Sequence, residues 1–449
     1  MIHDASCDRS HCHPAATNLS EPSGRRSALD HLLPAPQLVS PESQRGRALL
    51  TRPFTTLAGS VVLLGLADSI VGSYYVLFLN DHAHLSATQI GVLFSLPALG
   101  GIAFTLWSGR RFDRRPTRTW ALLATASSAV GYALLTTTTS FAWLLLISMT
   151  LLALYQAIYP QLFSMAPTVL GAGALGQRAV PLLRSSWSLA WALGPLIAGL
   201  LLVPWIGFLG VLWVTVGLLI LTLLTTAVVP SPGSAPGQTP APDVAPGTTP
   251  TATATAQPRG VPHTGLVLLT VSVVLFFLAM FAGGLALPLY VTHGLGLPDA
   301  VVGTLFALCA VVEVLAALAV VALPPRLSQR GLLVGAMFAL ALHFALTAAA
   351  DGVVLLLIAQ VPRGVAITVL TTAGMRFFQE ILAPATGFAT TLFSASADAG
   401  FLLSGVVGGI AVDVLGYRPA LIGCGVTAVL AGGVFLGSKV TAPQADAGL

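Results

Sequence analysis

Long apolar runs dominate the pattern of this 449-residue chain. A helix needs roughly 20 mostly apolar residues to cross a bilayer, and about twelve runs reach that length. The runs lack the period-two alternation of membrane β-strands, and in lipid only helices and closed barrels satisfy every backbone polar group. The pattern therefore predicts an all-α integral membrane protein with twelve transmembrane helices.

The predicted spans form two groups of six. The first group is 55–80, 88–109, 119–139, 142–166, 181–203 and 206–229. The second group is 264–291, 299–323, 331–350, 353–379, 385–412 and 417–438. This pattern predicts a disordered cytoplasmic tail at 1–52, a six-helix bundle at 53–229, a cytoplasmic linker at 230–262, a second bundle at 263–440 and a C-terminal tail at 441–449. The linker is rich in Pro, Thr, Ala and Gly, a composition that cannot build a core.

Composition agrees with this prediction. Hydrophobic residues make up 55% of the chain and charged residues only 8%, against roughly 25% charged residues in soluble domains. We expect a monomer surrounded by the lipid bilayer, with no nucleic-acid partner.

Cysteine and histidine residues give little sign of a metal site. The N-terminal tail contains Cys7, His11, Cys12 and His13, and such clusters can bind metal. No second cluster with zinc-site spacing follows, so a flexible tail without metal is the favoured interpretation. Two further cysteines lie inside apolar runs, where they are expected to be small core residues without a disulfide: Cys309 and Cys424.

Basic residues collect on one side of the predicted spans. Short cytoplasmic loops are enriched in Lys and Arg, which predicts cytoplasmic termini and a cytoplasmic linker. The basic residues on that side are Arg45, Arg47, Arg52, Arg110, Arg111, Arg114, Arg115, Arg118, Arg178, Arg259, Arg326, Arg330 and Lys439. The opposite loops carry Asp81, Asp299 and Asp351, with Arg418 as the clear basic exception.

The two groups of spans resemble each other at an offset of 212 residues. The segment 90–96 (Ile-Gly-Val-Leu-Phe-Ser-Leu) parallels 302–308 (Val-Gly-Thr-Leu-Phe-Ala-Leu), and Arg114 and Arg118 parallel Arg326 and Arg330. This similarity indicates a duplication. Two six-helix repeats joined by a cytoplasmic linker are typical of major facilitator transporters, whose substrate site lies near the midplane between the halves.

The loop after the second span resembles a motif of the major facilitator superfamily. It contains Gly109, Asp113 and Arg114, with Arg118 four positions on. An Asp surrounded by Arg at a helix end can form charge-assisted bonds in only one helix arrangement, which would make it a conformational latch. Pro116 and Thr117 depart from the motif, and a simple positive anchor is the alternative.

In the fifth span, the segment around Gly194 and Pro195 resembles the Gly-Pro motif of the superfamily's antiporters. Pro removes a helix hydrogen bond and Gly permits close approach, so the pair predicts a bend that packs tightly on a neighbouring helix. The resemblance favours export over import, although Pro and Gly are also common in membrane helices generally.

Short motifs in a fixed order carry a narrower resemblance, to the sugar efflux transporters of bacteria. In the first half they are Pro160-Gln161-Leu162-Phe163, Arg184, Ser188-Leu189-Ala190-Trp191 and Gly194-Pro195. In the second half they are Leu287-Pro288-Leu289, Gly296-Leu297-Pro298-Asp299, Glu313, Gly374-Met375, Phe378-Gln379-Glu380 and Ala389-Thr390-Thr391-Leu392-Phe393. The resemblance implies proton-coupled export of small sugars or glycosides across a bacterial inner membrane, powered by the proton gradient without a cofactor.

Ionisable residues inside apolar spans are candidates for proton coupling. Each costs about 2.5–3.5 kcal/mol to insert, so by default such a residue faces a cavity and has a function. A carboxylate at a dry interface can take up a proton in one state and release it in another. Glu313, Asp68 and Asp398 are therefore predicted proton-coupling residues. The alternative is a structural ion pair between helices, for instance Arg363 with Asp398, and His343 is expected to be a satisfied core residue.

Sugar binding requires hydrogen-bonding side chains and an aromatic face against the sugar ring. The candidates of these types are Gln156, Tyr159, Arg184, Trp187, Trp191, Gln360, Arg363 and Gln379. Aromatic and amide side chains in membrane helices more often serve packing, which remains the alternative for each.

The sequence also departs from the sugar efflux family at charged positions in the predicted pore, namely Asp68, Arg363 and Asp398. A drug/proton antiporter of the same superfamily therefore remains open as a second function. A membrane-embedded enzyme or receptor is disfavoured, because the chain contains no His-Glu-x-x-His, Gly-x-Ser-x-Gly or phosphate-binding loop motif.

Overall fold

The computed structural model describes residues 52–170, 174–230, 262–322 and 328–440. Several predictions fall outside these residues: the N-terminal tail with Cys7, His11, Cys12 and His13, the linker from 231 to 261, the C-terminal tail, Arg45, Arg47, Arg259, Arg326 and the side chain of Arg178.

All regular structure in the described residues is helical, which confirms the all-α fold class. The helices of the first half are α1 Arg52–Leu77, α2 Ala87–Arg114, α3 Thr119–Leu135, α4 Phe141–Thr150, α5 Ile158–Leu170, α6 Ala174–Ile197 and α7 Val203–Val228. Those of the second half are α8 His263–Leu289, α9 Asp299–Ala322, α10 Gln329–Ala348, α11 Val353–Val369, α12 Met375–Ile381, α13 Thr386–Leu415 and α14 Tyr417–Gly437.

Each of the twelve predicted spans coincides with helix, and ten stretches of the described chain are long and apolar enough to cross a membrane. The count is smaller for two reasons: α3 is short, and Val180–Val228 is counted as one stretch of 49 residues. Gly207 interrupts that stretch near the start of α7, because its φ of 65° lies in the left-handed region that favours glycine. α6 and α7 both pack on α1. Twelve crossings stay a prediction.

The surface of the helices is suited to lipid. Large apolar side chains point outward along many of them, including Trp205 at 83% exposure and Val414 at 74%. Exposed apolar area on this scale marks a surface that something apolar covers, and the acyl chains of a bilayer supply that cover.

The structure repeats itself at nearly the offset seen in the sequence. A π-helical turn follows α1 at Phe78–His82, and another follows α8 at Tyr290–Gly294, 212 positions later. The Arg118 guanidinium donates to the Val229 carbonyl at 2.5 Å, and that of Arg330 donates to the Val440 carbonyl at 3.1 Å. These matching contacts support the predicted duplication.

The two halves meet at one end of the molecule, where α2 packs on α13 and α6 packs on α9. The Tyr74 hydroxyl donates to the Asp299 carbonyl at 3.0 Å and accepts the Gly303 N–H at 2.9 Å. The Ser95 hydroxyl donates to the Leu402 carbonyl at 2.6 Å. The hydrogen bonds and the ion pair that join described residues of the two halves all lie at this end, which we call the sealed end.

Two further contacts strengthen the sealed end. The Asp413 carboxylate accepts the backbone N–H groups of Ala87 at 3.0 Å and Thr88 at 2.8 Å, so one half caps the first turn of α2 in the other. His293 Nε2 lies 2.8 Å from the Asp81 carboxylate, linking the two π-helical turns that follow α8 and α1.

Candidate functional site

The three acids predicted to couple protons lie inward from the sealed end. At about 1.5 Å of rise per residue, the axial separations are about 9 Å from Tyr74 to Asp68, about 10 Å from Gly405 to Asp398 and about 15 Å from Gly303 to Glu313. Because a hydrocarbon core is about 30 Å thick, these separations place the acids at mid-depth. α1 and α13 run toward the sealed end and α9 runs away from it, so all three acids lie on its inner side.

Asp68 is held by a tryptophan of the same half. Trp191 Nε1 donates to the Asp68 carboxylate at 3.1 Å, which joins α6 to α1. The buried Tyr155 hydroxyl interacts with the same carboxylate without forming a normal hydrogen bond. Asp68 itself is only partly buried. The structure thus brings the predicted proton-coupling residue and the predicted sugar-binding residue Trp191 together.

Arg184 belongs to an aromatic group on α5 and α6. Its guanidinium donates to the Tyr159 hydroxyl at 3.2 Å. The Tyr159 ring stacks on Phe163 at 4.2 Å and meets Trp187 edge-on at 4.7 Å between centroids. Arg184 is exposed, whereas Tyr159 and Trp187 are partly buried. Three predicted sugar-binding residues therefore lie together, with polar atoms beside aromatic faces.

Glu313 and Arg363 form the charged group of the second half. Arg363 is buried, lies 5.0 Å above the Phe306 ring and donates to the Gln360 side-chain oxygen at 3.2 Å. Its positive charge interacts electrostatically with Glu313. The Glu313 carboxylate also accepts a hydrogen bond from the Cys309 thiol at 3.5 Å. Glu313 is partly buried. Arg363 is thus a neighbour of Glu313.

The alternative ion pair between Arg363 and Asp398 is not formed. Asp398 is exposed on α13 and makes no hydrogen bond or ion pair with any described residue. Its position about one turn before Leu402 and two turns before Gly405 puts it on the stripe that faces α2 at the sealed end. A carboxylate without a partner on this stripe is free to bind a proton or a ligand.

The predicted amide and imidazole residues divide into exposed and packed ones. Gln156 is exposed, and the partly buried Gln379 side chain donates to the Thr390 hydroxyl at 3.0 Å. Gln360 is fully buried and donates to the Leu356 carbonyl at 3.0 Å, so the packing alternative fits it better than sugar contact. His343 is buried with Nδ1 at 2.8 Å from the Ala359 carbonyl, which confirms the expected core role.

The charged residues of the predicted latch form no ion pair with described residues. Asp113 and Arg114 are exposed, and Asp113 forms no ion pair with a described residue. Arg118 instead binds the end of α7, as described above. Nothing lies within 4 Å of a Cβ placed at Gly109. These residues lie at the end of α2 opposite to the sealed end.

The close packing predicted for the Gly-Pro motif is present, whereas the bend stays a prediction. A Cβ at Gly194 would lie 1.9 Å from the Ser69 hydroxyl oxygen, so glycine is required for α6 to approach α1. The Pro195 carbonyl touches Gly303 of the other half, and the π-helical turn Ala198–Leu202 follows.

Four contributing residues were not predicted from the sequence. Tyr132 and Tyr155 lie near Asp68, with their ring centroids 5.9 Å apart, and Phe306 and Cys309 contact the second charged group. Tyr155 adjoins the candidate Gln156 in sequence, which is the signal that could have identified it. Phe306 and Cys309 are ordinary apolar residues of α9, and Cys309 was expected only to fill the core.

Comparison with known proteins identifies relatives over most of the chain. The family model described as Major Facilitator Superfamily matches residues 57–342 and 269–448. The chain is 31% identical to the "Putative sugar efflux transporter" of Deinococcus radiodurans over 390 residues, 84% of this chain and 95% of that protein. It is 26% identical to sugar efflux transporter A of Escherichia coli, over 84% of this chain and 93% of that protein.

Solved structures share the fold at low sequence identity. The nucleoside transporter NupG superposes with a TM-score of 0.71 at 15% identity, covering 87% of this chain and all of that one. A bacterial homologue of the human lysosomal transporter Spinster superposes with a TM-score of 0.64 at 13% identity, covering 86% of this chain and 96% of that one.

Proposed function

Since the chain belongs to the Major Facilitator Superfamily and, within it, to the sugar efflux transporter family, we propose that it exports small sugars or glycosides by proton antiport. It is a multi-pass membrane transporter and not an enzyme. The proposed location is the bacterial inner membrane with both termini in the cytoplasm, and the proposed energy source is the proton gradient.

The observation that carries the proposal is the presence of acids at mid-depth in both halves. The first half contributes Asp68, and the second half contributes Glu313 and Asp398. All three lie inward from the sealed end. A carboxylate in an apolar membrane interior persists only where it has a function or a partner. Each can be neutralised by a proton, and the loss of its charge changes its attraction for neighbours such as Trp191 or Arg363.

Sugar recognition is proposed for the aromatic group on α5 and α6. Tyr159 and Trp187 offer aromatic faces, and the Arg184 guanidinium offers several donors for sugar hydroxyls. Trp191 follows one turn after Trp187, so a sugar bound here would lie close to Asp68. This proximity gives a physical route for proton uptake and sugar release to affect each other.

Alternating access is proposed to occur by breaking one set of contacts and forming another. The sealed end joins the halves through α2, α6, α9 and α13, while the Asp113 latch at the other end of α2 is open. In the alternative state we expect the sealed-end contacts to separate and Asp113 to pair with an Arg.

Transport in inside-out membrane vesicles tests the proposal. Vesicles containing the protein should accumulate a labelled galactoside or glucoside when their lumen is made acidic, because protons leaving the lumen would drive sugar into it. Glu313→Gln should abolish the dependence on the gradient. A panel of sugars, glycosides and apolar cations in the same assay separates sugar export from drug export.

The matched control is Glu380→Gln, the same substitution at an exposed acid that accepts a hydrogen bond from Gln329 at 2.8 Å. It should behave as the wild type. Sugar uptake that ignores the gradient, or Glu313→Gln vesicles that respond to it normally, would contradict proton antiport.

A further inference from the structure

A cavity lies at the end of α2 opposite to the sealed end. It has a volume of about 450 Å³ and opens between the last turn of α2 and the first turn of α3. Its lining consists of three arginines, two threonines and a tryptophan, namely Arg111, Arg114, Arg115, Thr117, Thr119 and Trp120. It lies far from the sealed end, since Arg111 is 16 residues beyond Ser95, about 24 Å along the helix.

The positive charge of this cavity is not compensated within the described chain. Arg111, Arg114 and Arg115 are all exposed and form no ion pair with a described acid. The one acid between them in sequence, Asp113, is exposed as well and equally unpaired. Arginine stays charged at every physiological pH and presents a planar set of donors that matches phosphate oxygens. The cavity is therefore complementary to an anion such as a phosphate.

The edge of the cavity is aromatic. The Trp107 and Trp120 rings meet edge-on with centroids 4.7 Å apart, and the Arg111 guanidinium lies 5.7 Å from the Trp107 centroid. Tryptophan is enriched where membrane proteins pass from hydrocarbon to headgroups. This pair indicates that the cavity lies at headgroup depth.

An apolar stripe on α2 leads to the cavity. Leu99, Ala103 and Leu106 are exposed, and their spacing of three and four residues places them on one face of the helix. Trp107, exposed by 44%, continues this surface to Arg111. A molecule with an anionic phosphate and an acyl chain would contact both the cationic cavity and this stripe.

We propose that the cavity binds the headgroup phosphate of an anionic phospholipid, with an acyl chain along the exposed stripe of α2. The three guanidinium groups bind the phosphate oxygens, and the Thr117 and Thr119 hydroxyls contact the rest of the headgroup. Basic pockets at the ends of membrane helices recognise lipid headgroups through this chemistry. The inference does not depend on which sugar the protein transports.

Lipid binding to the purified full chain in detergent tests the inference. Phosphatidylglycerol is titrated and retained lipid is measured by native mass spectrometry. Arg111→Gln/Arg115→Gln should bind phosphatidylglycerol roughly ten-fold more weakly or worse, because each change removes charge-assisted hydrogen bonds. The matched control is Arg52→Gln/Arg110→Gln, which removes two exposed charges outside the cavity lining and should bind as the wild type does.

Two soluble probes identify the source of the phosphate. Glycerol phosphate and inorganic phosphate lack the acyl chain and should compete only at far higher concentration than phosphatidylglycerol binds. Equal competition by either would overturn the lipid assignment, and equal weakening in the control variant would overturn the site. Should the double variant fail to purify as a monodisperse protein, Arg115→Gln alone is compared with Arg110→Gln, and identical affinities would refute the proposal.

Discussion

Gly91 and Gly303 lie 212 residues apart in the chain and make equivalent contacts with the opposite half. A Cβ at Gly91 would stand 1.9 Å from the Gly405 carbonyl oxygen, and one at Gly303 would stand 2.3 Å from the Pro195 carbonyl oxygen. Both glycines therefore let a helix of one half approach the backbone of the other. The repeat detected in the sequence thus corresponds to the two crossings of the sealed end.

Gly91→Ala should prevent the sealed end from closing fully, because α2 and α13 would have to move apart to admit the methyl group. Overpacking of this kind typically costs about 1–3 kcal/mol. We expect a lower melting temperature in detergent and slower transport in vesicles. Gly335→Ala is the control, since nothing lies within 4 Å of a Cβ at that position. A wild-type melting temperature and rate for Gly91→Ala would show that this contact does not limit closure.

Asp68→Asn should abolish gradient-driven uptake while sugar exchange without a gradient continues. The amide oxygen of Asn can still accept the Trp191 N–H, so the local packing is kept, but the side chain can no longer bind and release a proton. Both activities are measured in the same vesicles. Trp191→Phe, which keeps the acid and removes its donor, should retain part of the gradient response. Gradient-driven uptake that survives Asp68→Asn would assign proton coupling elsewhere.

Arg363→Gln and Glu313→Gln should be energetically coupled, because the charge of Arg363 acts on Glu313 in the same group. Groups that interact in this way show coupling of about 0.5–3 kcal/mol in double-mutant cycles. We expect the double variant to be more stable than the sum of the single losses predicts. The measurement is reversible unfolding of the four proteins in detergent. If the two losses of unfolding free energy add strictly, the two side chains do not interact energetically.

Asp413→Ala should loosen the first turn of α2 more than His293→Gln loosens the sealed end. Loss of a helix cap costs about 0.5–2 kcal/mol, whereas an exposed ion pair such as His293 with Asp81 contributes about 0–1 kcal/mol. Hydrogen exchange at the Ala87 and Thr88 amides measures the loss of the cap. This exchange should be faster in Asp413→Ala than in the wild type.

Ser86→Ala separates this effect from local capping. The Ser86 hydroxyl accepts the Gln89 N–H at the start of α2 and also interacts with the Asp413 carboxylate. Its loss should accelerate exchange most at Gln89, because the Ala87 and Thr88 amides keep Asp413 as their acceptor. Unchanged exchange at Ala87 and Thr88 in Asp413→Ala would rule out the cap from the other half.

Much of the fold could be predicted because its signals are local. The position of each span follows from a run of apolar residues, and every predicted span coincides with helix. Gly194 was identified from its motif, since glycine next to proline is a local signature of close helix approach. Arg418, the basic exception on the acidic side, was noticed in the sequence as well. Only the structure shows that Asp351 and the Tyr290 hydroxyl bind its guanidinium.

The site was predictable by residue type but not by partner. Asp68, Glu313 and Arg363 stood out because a charge in an apolar span is costly wherever the helix lies. The partners of these residues could not be predicted. The sequence suggested Asp398 as a partner of Arg363, whereas the structure places Arg363 beside Glu313, Gln360 and Phe306. Tyr132 and Tyr155 could not be assigned to Asp68, because their proximity depends on how three helices are arranged.

The sequence by itself determined that the chain is helical, lies in a membrane, contains a repeat and carries acids within its spans. Each of these follows from the cost of exposing backbone or charge to lipid, which depends on a residue and its near neighbours along the chain. Tertiary structure alone decided which end is sealed, that Asp413 caps a helix of the other half and that Asp113 pairs with no described residue. The contacts of the sealed end join residues hundreds of positions apart, and their energies depend on helix packing that no local pattern encodes.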